Sequence, residues 1–307
     1  MFERRFAKTY QRIELLVLVP TPIGNLEDIT YRAVKALRDA DHIVAEDTRR
    51  SRKLLSHLGI NSQSLHRLDA NASERELDRV VGWMRNGSTV ALVTDAGTPS
   101  VSDPGRALVA KASAAGIAVV SLPGPSAITA AVAASGLIDG SFCFMGFVPR
   151  TTAGLTELVG EIALRREPCV LFDSPNRLAA TLHALASAMP SRQIVVAREM
   201  SKLHEELVRG TVEELASTDR EWIGEITLVL GPWDVYRGSD VSDEEIDARI
   251  ERELALSIHT KTVAAIVSAW SGRSRRDVYA RIVRKTAGVS GDPDRSLDLE
   301  GSVDNGQ

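Results

Sequence analysis

Cysteine is nearly absent from this chain of 307 residues. Cys143 and Cys169 sit among apolar neighbours in no Cys-x-x-Cys spacing, which excludes a disulfide framework and reads as two buried small hydrophobes in a reducing compartment. The histidines show no metal-ligand spacing and no His-Glu-x-x-His, so no metal is expected. No apolar run reaches the roughly 20 residues of a membrane span. The opening MFERRFAKTYQRIE is basic without an apolar stretch or cleavage site. It therefore reads as a short flexible leader, not a secretory signal, and the expected location is cytoplasmic. Excess charge is missing too: the net −4 does not advertise nucleic acid, although an average can hide local patches. No Gly-x-Gly-x-x-Gly occurs, nor a glycine-rich loop ending in Lys-Ser/Thr, which disfavours dehydrogenases and kinases.

What is present is an ordinary globular composition, 44% hydrophobic and 25% charged, in a chain long enough for two domains. Leu15–Val19 reads as a buried strand that runs into Thr21-Pro22-Ile23-Gly24-Asn25, with a helix over Thr30–Leu37. His42–Ala45 is a second strand, followed by a helix that Gly59 stops. An amphipathic helix over Ser73–Arg85 precedes a strand at Thr89–Val93, which enters Asp95-Ala96-Gly97-Thr98-Pro99. Asp103-Pro104 reads as the opening of another helix, capping acid then proline, before a strand at Ile117–Ser121. This alternation predicts a parallel sheet covered on both faces.

The stiff Pro123-Gly124-Pro125 breaks the rhythm, and Ser126 is placed to cap the helix after it. A second α/β unit is predicted, with strands near Phe142–Phe147, Cys169–Phe172, Gln193–Ala197 and Glu225–Leu230 and helices near Thr156–Arg165 and Leu178–Ala188. Past Gly231-Pro232 the composition shifts. Gly238–Leu254 carries seven acids against two arginines, whereas His259–Lys285 carries seven bases against Asp277. The basic stretch reads as two short helices around Ser271-Gly272, with Val263, Ile266, Val267, Val278, Ile282 and Val283 facing inward. The predicted fold class is therefore α/β: a leader (1–12), an N-terminal α/β domain (13–122), a C-terminal α/β domain (123–236), a small basic helical segment (237–288) and a disordered tail (289–307).

The post-strand loops offer prolines, carbonyls, small hydroxyls and one acid, Asp95, with Gly24 and Gly97 each standing alone. A carboxylate at a strand end accepts ribose hydroxyl hydrogens. A sulfonium tolerates such a lining and a polyphosphate does not, so S-adenosyl-L-methionine fits it. Ordinary turn chemistry is the competing explanation for each loop taken alone.

TPIGNLEDIT, AEDTRRSRKLL, VTDAGTPSVSDPG, LPGPSAI, FMGFVPR and FDSPNRL occur in this order. They closely resemble the tetrapyrrole-methylase-like class of S-adenosylmethionine-dependent methyltransferases, and within it the branch that 2′-O-methylates a cytidine of small-subunit (16S) ribosomal RNA. The resemblance spans about Leu15 to Leu230. It implies a cofactor cleft between two α/β domains, usually in a homodimer, with small-subunit rRNA or the 30S subunit as partner. Carried over residue by residue, Gly24, Asp95, Thr98, Val101, Ser102, Ser126 and Ala127 are the expected cofactor contacts, with Phe172 as a cover. The chain departs from the family in having Asp173-Ser174-Pro175-Asn176-Arg177 where Glu-Ser-Pro-His-Arg is usual. It also lacks the histidine-rich stretch expected near Arg67–Asn71, so a histidine base is unavailable at either place.

Methyl transfer to a hydroxyl needs alignment and removal of a proton from a poor acid. Glu46 and Asp47, at a strand end, are candidate bases; ion pairing with Arg49 or Arg50, or capping of the next helix, is the alternative. Arg49, Arg50, Arg52, Arg150, Arg177, Arg198 and Lys202 are candidate phosphate contacts, and His204 reads as structural. The basic segment, including Arg273, Arg275 and Arg276, suits an RNA-docking module, or else a helical hairpin that packs on a dimer partner. A tetrapyrrole methyltransferase of the same fold, and a non-enzymatic nucleoside-binding module, are the other functions considered.

Overall fold

The structure is a computed structural model that describes residues 14–61, 64–69, 71–101, 105–233, 241–255 and 259–288. The leader, the tail, Ser102 and Asp103-Pro104, where a helix was predicted to open, lie outside the described residues. The described residues divide into two compact units. One comprises those up to Arg150 with Glu167–Ala186 and Pro190–Pro232; the other comprises Thr151–Arg166, Ser187–Met189 and those from Trp233 onward.

The first unit holds two five-stranded sheets. In the first, β1 (Leu15–Val19), β2 (His42–Ala45), β3 (Leu65–Arg67), β4 (Thr89–Val93) and β5 (Ala118–Ser121) take the order β3-β2-β4-β1-β5, all parallel. Strand alternation sends Leu16, Leu18, Val44, Val90 and Leu92 to one face, against α3 (Glu74–Arg85) and α4 (Arg106–Ala114). Leu15, Val17, Val19, Ile43 and Val93 go to the other, against α1 (Tyr31–Asp39) and α2 (Thr48–His57). Both faces are buried, which is why these strands read as continuous apolar runs. Ser73 closes a capping box with Glu76 at the start of α3. The described part of α4 begins at Arg106 after Gly105, with no side-chain cap.

The second sheet has the order β6-β7-β10-β8-β9: β6 (Cys143–Phe147), β7 (Cys169–Asp173), β10 (Ile226–Leu230), β8 (Gln193–Arg198) and β9 (Glu206–Thr211). Only β6 and β7 run parallel; the other neighbours are antiparallel. Val170, Val195, Ala197 and Val229 pack with Ala131 of α5 (Ala127–Ser135). Helices α7 (Pro175–Ala188) and α8 (Val212–Ala216) also belong to this half of the chain. Arg192 is 1% exposed, its guanidinium donating to the Gly231 and Glu167 carbonyls at 2.9 Å each. Both cysteines are free.

The second unit gathers α6 (Thr152–Ala163) with α9 (Asp243–Ala255), α10 (Thr260–Ser271) and α11 (Arg275–Gly288). The acidic stretch, placed within the predicted helical segment but given no helix bounds of its own, is α9, and its Ile246 and Ile250 join Val263, Val267, Val278 and Ile282 in a small core. Val283 departs from expectation at 44% exposure: it lies one position beyond Ile282, off the buried stripe. The opposite charges of this segment meet one another. Arg281 Nε lies 2.5 Å from Asp247, Lys285 Nζ 2.6 Å from Glu251 and Arg273 3.2 Å from Asp243.

Candidate active site

A cavity of about 400 Å³ in the first unit is walled by the ends of β2, β4 and β7 and the start of α5. This volume suits one small ligand. Thr21 bridges to Gly97 by paired backbone hydrogen bonds of 2.9 Å and its hydroxyl donates to the Thr94 carbonyl, so the β1 and β4 loops are tied together. Gly97 has φ +79°, a turn that an L side chain would strain. Asp95, Thr98 and Val101 of the loop after β4, Ser126 and Ala127 at the start of α5, and Phe172 of β7, all predicted contacts, line this cavity.

Gly24 and Ser102 stand differently, and Ser126 departs from expectation only as a cap. Gly24 is not in the wall although Ile23 is. A Cβ at Gly24 would lie 2.7 Å from the Met200 carbonyl oxygen, so close approach of two loops requires this glycine. Those loops are further joined by Ser201 Oγ donating to Asp28. Ser126 occupies the N-cap position of α5 and lines the cavity but, contrary to expectation, makes no capping hydrogen bond. Ser102 lies outside the described residues.

Glu46 and Asp47 are adjacent and have different tasks. Glu46 lines the cavity and accepts a hydrogen bond from Thr94 Oγ1 at 3.3 Å. Burial, reinforced by the nearby Asp95 charge, pushes its carboxyl above the ordinary glutamate range. Asp47 instead caps α2: its Oδ1 accepts from the Arg49 amide at 2.8 Å and its Oδ2 from the Arg49 guanidinium at 3.0 Å. These hydrogen bonds hold it down to about 2, which makes it a poor base, so the alternative of capping and ion pairing describes it.

The cations are also sorted. Arg50 lies 3.2 Å from Asp95 Oδ2 inside the cavity wall. Arg177 donates to the Val148 and Pro149 carbonyls and pins the chain after β6. Lys202 is held between Glu199 (2.9 Å) and Glu225 (3.0 Å), and Arg198 bonds Glu206 at 2.7 Å. Arg273 faces Asp243. Arg150, Arg275 and Arg276 are exposed and form no ion pair among the described residues. The wall contains four carboxylates (Glu46, Asp95, Asp173, Glu225) against one guanidinium and no lysine. Asp173 is 6% exposed, its Oδ1 accepting from the Ser174 amide, and burial raises its pKa. Among the described residues no cluster of His, Cys, Asp and Glu could hold a metal.

The description "Tetrapyrrole (Corrin/Porphyrin) Methylases" belongs to a family whose pattern matches residues 15–216. This chain belongs to the tetrapyrrole methylase family. The ribosomal RNA small subunit methyltransferase I of Halalkalibacterium halodurans is 37% identical over 273 residues, 86% of this chain and 93% of that one. The protein of the same name from Thermotoga maritima is 43% identical over 217 residues, 70% of this chain and 97% of that one. Among solved structures, a diphthine synthase matches with TM-score 0.55 at 20% identity, covering 71% of this chain and 90% of that one. A uroporphyrin-III-C-methyltransferase from Thermus thermophilus matches with TM-score 0.52 at 21% identity, covering 71% and 94%. These two likenesses show the fold. As a tetrapyrrole methylase the chain is an S-adenosylmethionine-dependent methyltransferase.

Sequence reasoning missed Phe147, Gly224, Glu225 and Thr227 in the wall. Phe147 stands at the end of a predicted strand, and nothing in the sequence turned it toward a ligand. The others come from β10 and the turn before it, where nothing in the sequence marks a ligand.

Proposed function

We propose that this chain transfers the methyl group of S-adenosylmethionine to the 2′-hydroxyl of a cytidine in small-subunit ribosomal RNA, acting in the cytoplasm as a homodimer. The observation that carries the proposal is the lining charge of the cavity, four carboxylates to one guanidinium. Such a wall favours a cationic ligand with sugar hydroxyls and repels a phosphate chain. The names of the curated relatives support the RNA substrate.

The residues fit the cofactor. Asp95 would accept the ribose hydroxyls while Thr98, Val101, Ser126 and Ala127 would hold the remainder, with Phe172 on the far wall. The cofactor supplies an activated methyl group, so the protein's work is alignment and proton removal. Glu46, partly desolvated and raised in pKa, is the base that would take the 2′-hydroxyl proton. Arg50, 3.2 Å from Asp95, would neutralise its carboxylate in part. Arg150, Arg275 and Arg276 are the proposed phosphate contacts.

No helix among the described residues is long and apolar enough to cross a membrane. A tetrapyrrole substrate is the second reading, favoured by the family description itself. Transfer of labelled methyl to purified 30S subunits, run beside a corrin precursor, separates the two. Label in 16S rRNA supports the proposal; label in the corrin alone overturns it.

A further inference from the structure

Phe147 is 62% exposed, on the wall of the cavity just described. A single exposed phenylalanine is ordinary. The backbone that presents this one is not. Between Phe144 and Phe147 the pairing of β6 with β7 slips: Phe144 lies opposite Val170 and Phe147 opposite Phe172, so β6 carries one extra residue. Gly146, with φ +76°, supplies the left-handed turn such a bulge needs. In an unbroken strand residues 144 and 147 would point to opposite faces. The bulge puts both on the face of Phe172, with ring centroids 5.1 Å away on either side. An aromatic row therefore runs from Phe144, packed on the core, through Phe172 to Phe147 at the rim.

Resting on the proposed RNA substrate, we infer that Phe147 is the stacking platform for the base of the nucleotide being methylated. A 2′-hydroxyl can reach an in-line position at the cavity mouth only if its nucleotide leaves the neighbouring stack, and an unstacked base is stabilised by an aromatic face. A cavity of about 400 Å³ holds the cofactor and leaves the target base outside it, at the rim where this ring stands. The ring is rigidly backed by Phe172, and the Val148 amide bonds the Phe172 carbonyl at 2.9 Å, so the platform does not have to be ordered on binding.

The test is steady-state methylation of 30S subunits by F147A, F147L and F147W, with S-adenosylmethionine affinity measured by calorimetry and folding checked by thermal unfolding. F147A and F147L are expected to raise KM for the subunit roughly ten- to a hundredfold, the range for losing one base–aromatic stack. F147W is expected to stay near wild type, and in F147A and F147L any change in cofactor affinity to be smaller than the rise in KM for the subunit. An unchanged KM in F147A, or full activity in F147L, overturns the inference while leaving the RNA substrate standing. Weakened cofactor binding with an unchanged KM assigns the ring to the cofactor and also overturns it. Wild-type protein that labels a corrin and no RNA removes the substrate proposal and this inference together.

Discussion

Glu46 and Asp47 show how one bond along the chain separates chemistry from architecture. Glu46→Gln is expected to lower kcat by about 10²–10⁴-fold with cofactor affinity unchanged, the usual range for a general base, measured by single-turnover methylation. Because burial raises the Glu46 pKa, the rate should climb with pH through an inflection above 4.5, falling as acid protonates the base, and Glu46→Gln should abolish that inflection. For Asp47 the sign is opposite. Its carboxylate is favoured by the fold, so its contribution to stability is complete above the ordinary 3.8 and is lost as pH falls toward about 2. Asp47→Asn keeps a capping oxygen and should retain activity, whereas Asp47→Ala should lower the melting temperature. The sequence brought both acids to the right strand end. It left their division of labour open because that depends on which carboxylate the Arg49 amide meets, a matter of one dihedral.

At the scale of elements, the buried parallel strands were legible because both of their faces are covered and no polar residue interrupts them. The edge strands β3 and β9 were not, since Leu65-His66-Arg67 and Glu206–Thr211 mix charge with apolar residues as solvent-facing edges do. Helix α9 was hidden by its acids, half of whose meaning lies in the bases of α11 that they face. The post-strand loops could be recognised as a candidate ligand site, whereas the close approach at Gly24 could not, because it depends on a loop far along the chain. Gly24→Ala is therefore expected to cost about 1–3 kcal/mol in denaturant unfolding, as overpacking against a backbone carbonyl does. Arg192→Lys should cost about 1–3 kcal/mol by the same measurement, because an ammonium cannot reach the Gly231 and Glu167 carbonyls with the guanidinium's fixed fork.

At the scale of the whole molecule, charge asymmetry in the sequence overstated the cations open to RNA, since Arg273, Arg281 and Lys285 are matched by α9. Arg275→Gln with Arg276→Gln should still weaken binding to 30S subunits and make the log–log salt slope shallower by roughly 1.4, at ~0.7 per single-strand phosphate contact. Cofactor affinity should not move. The order of the first sheet has a further consequence, for synthesis. β1 emerges first from the ribosome, yet its partners are Thr89–Val93 on one side and Ala118–Ser121 on the other. Until residue 121 has been translated, an apolar ribbon intended for the middle of a sheet has two bare flanks, and nascent chains stalled before that codon should be the ones that chaperones capture.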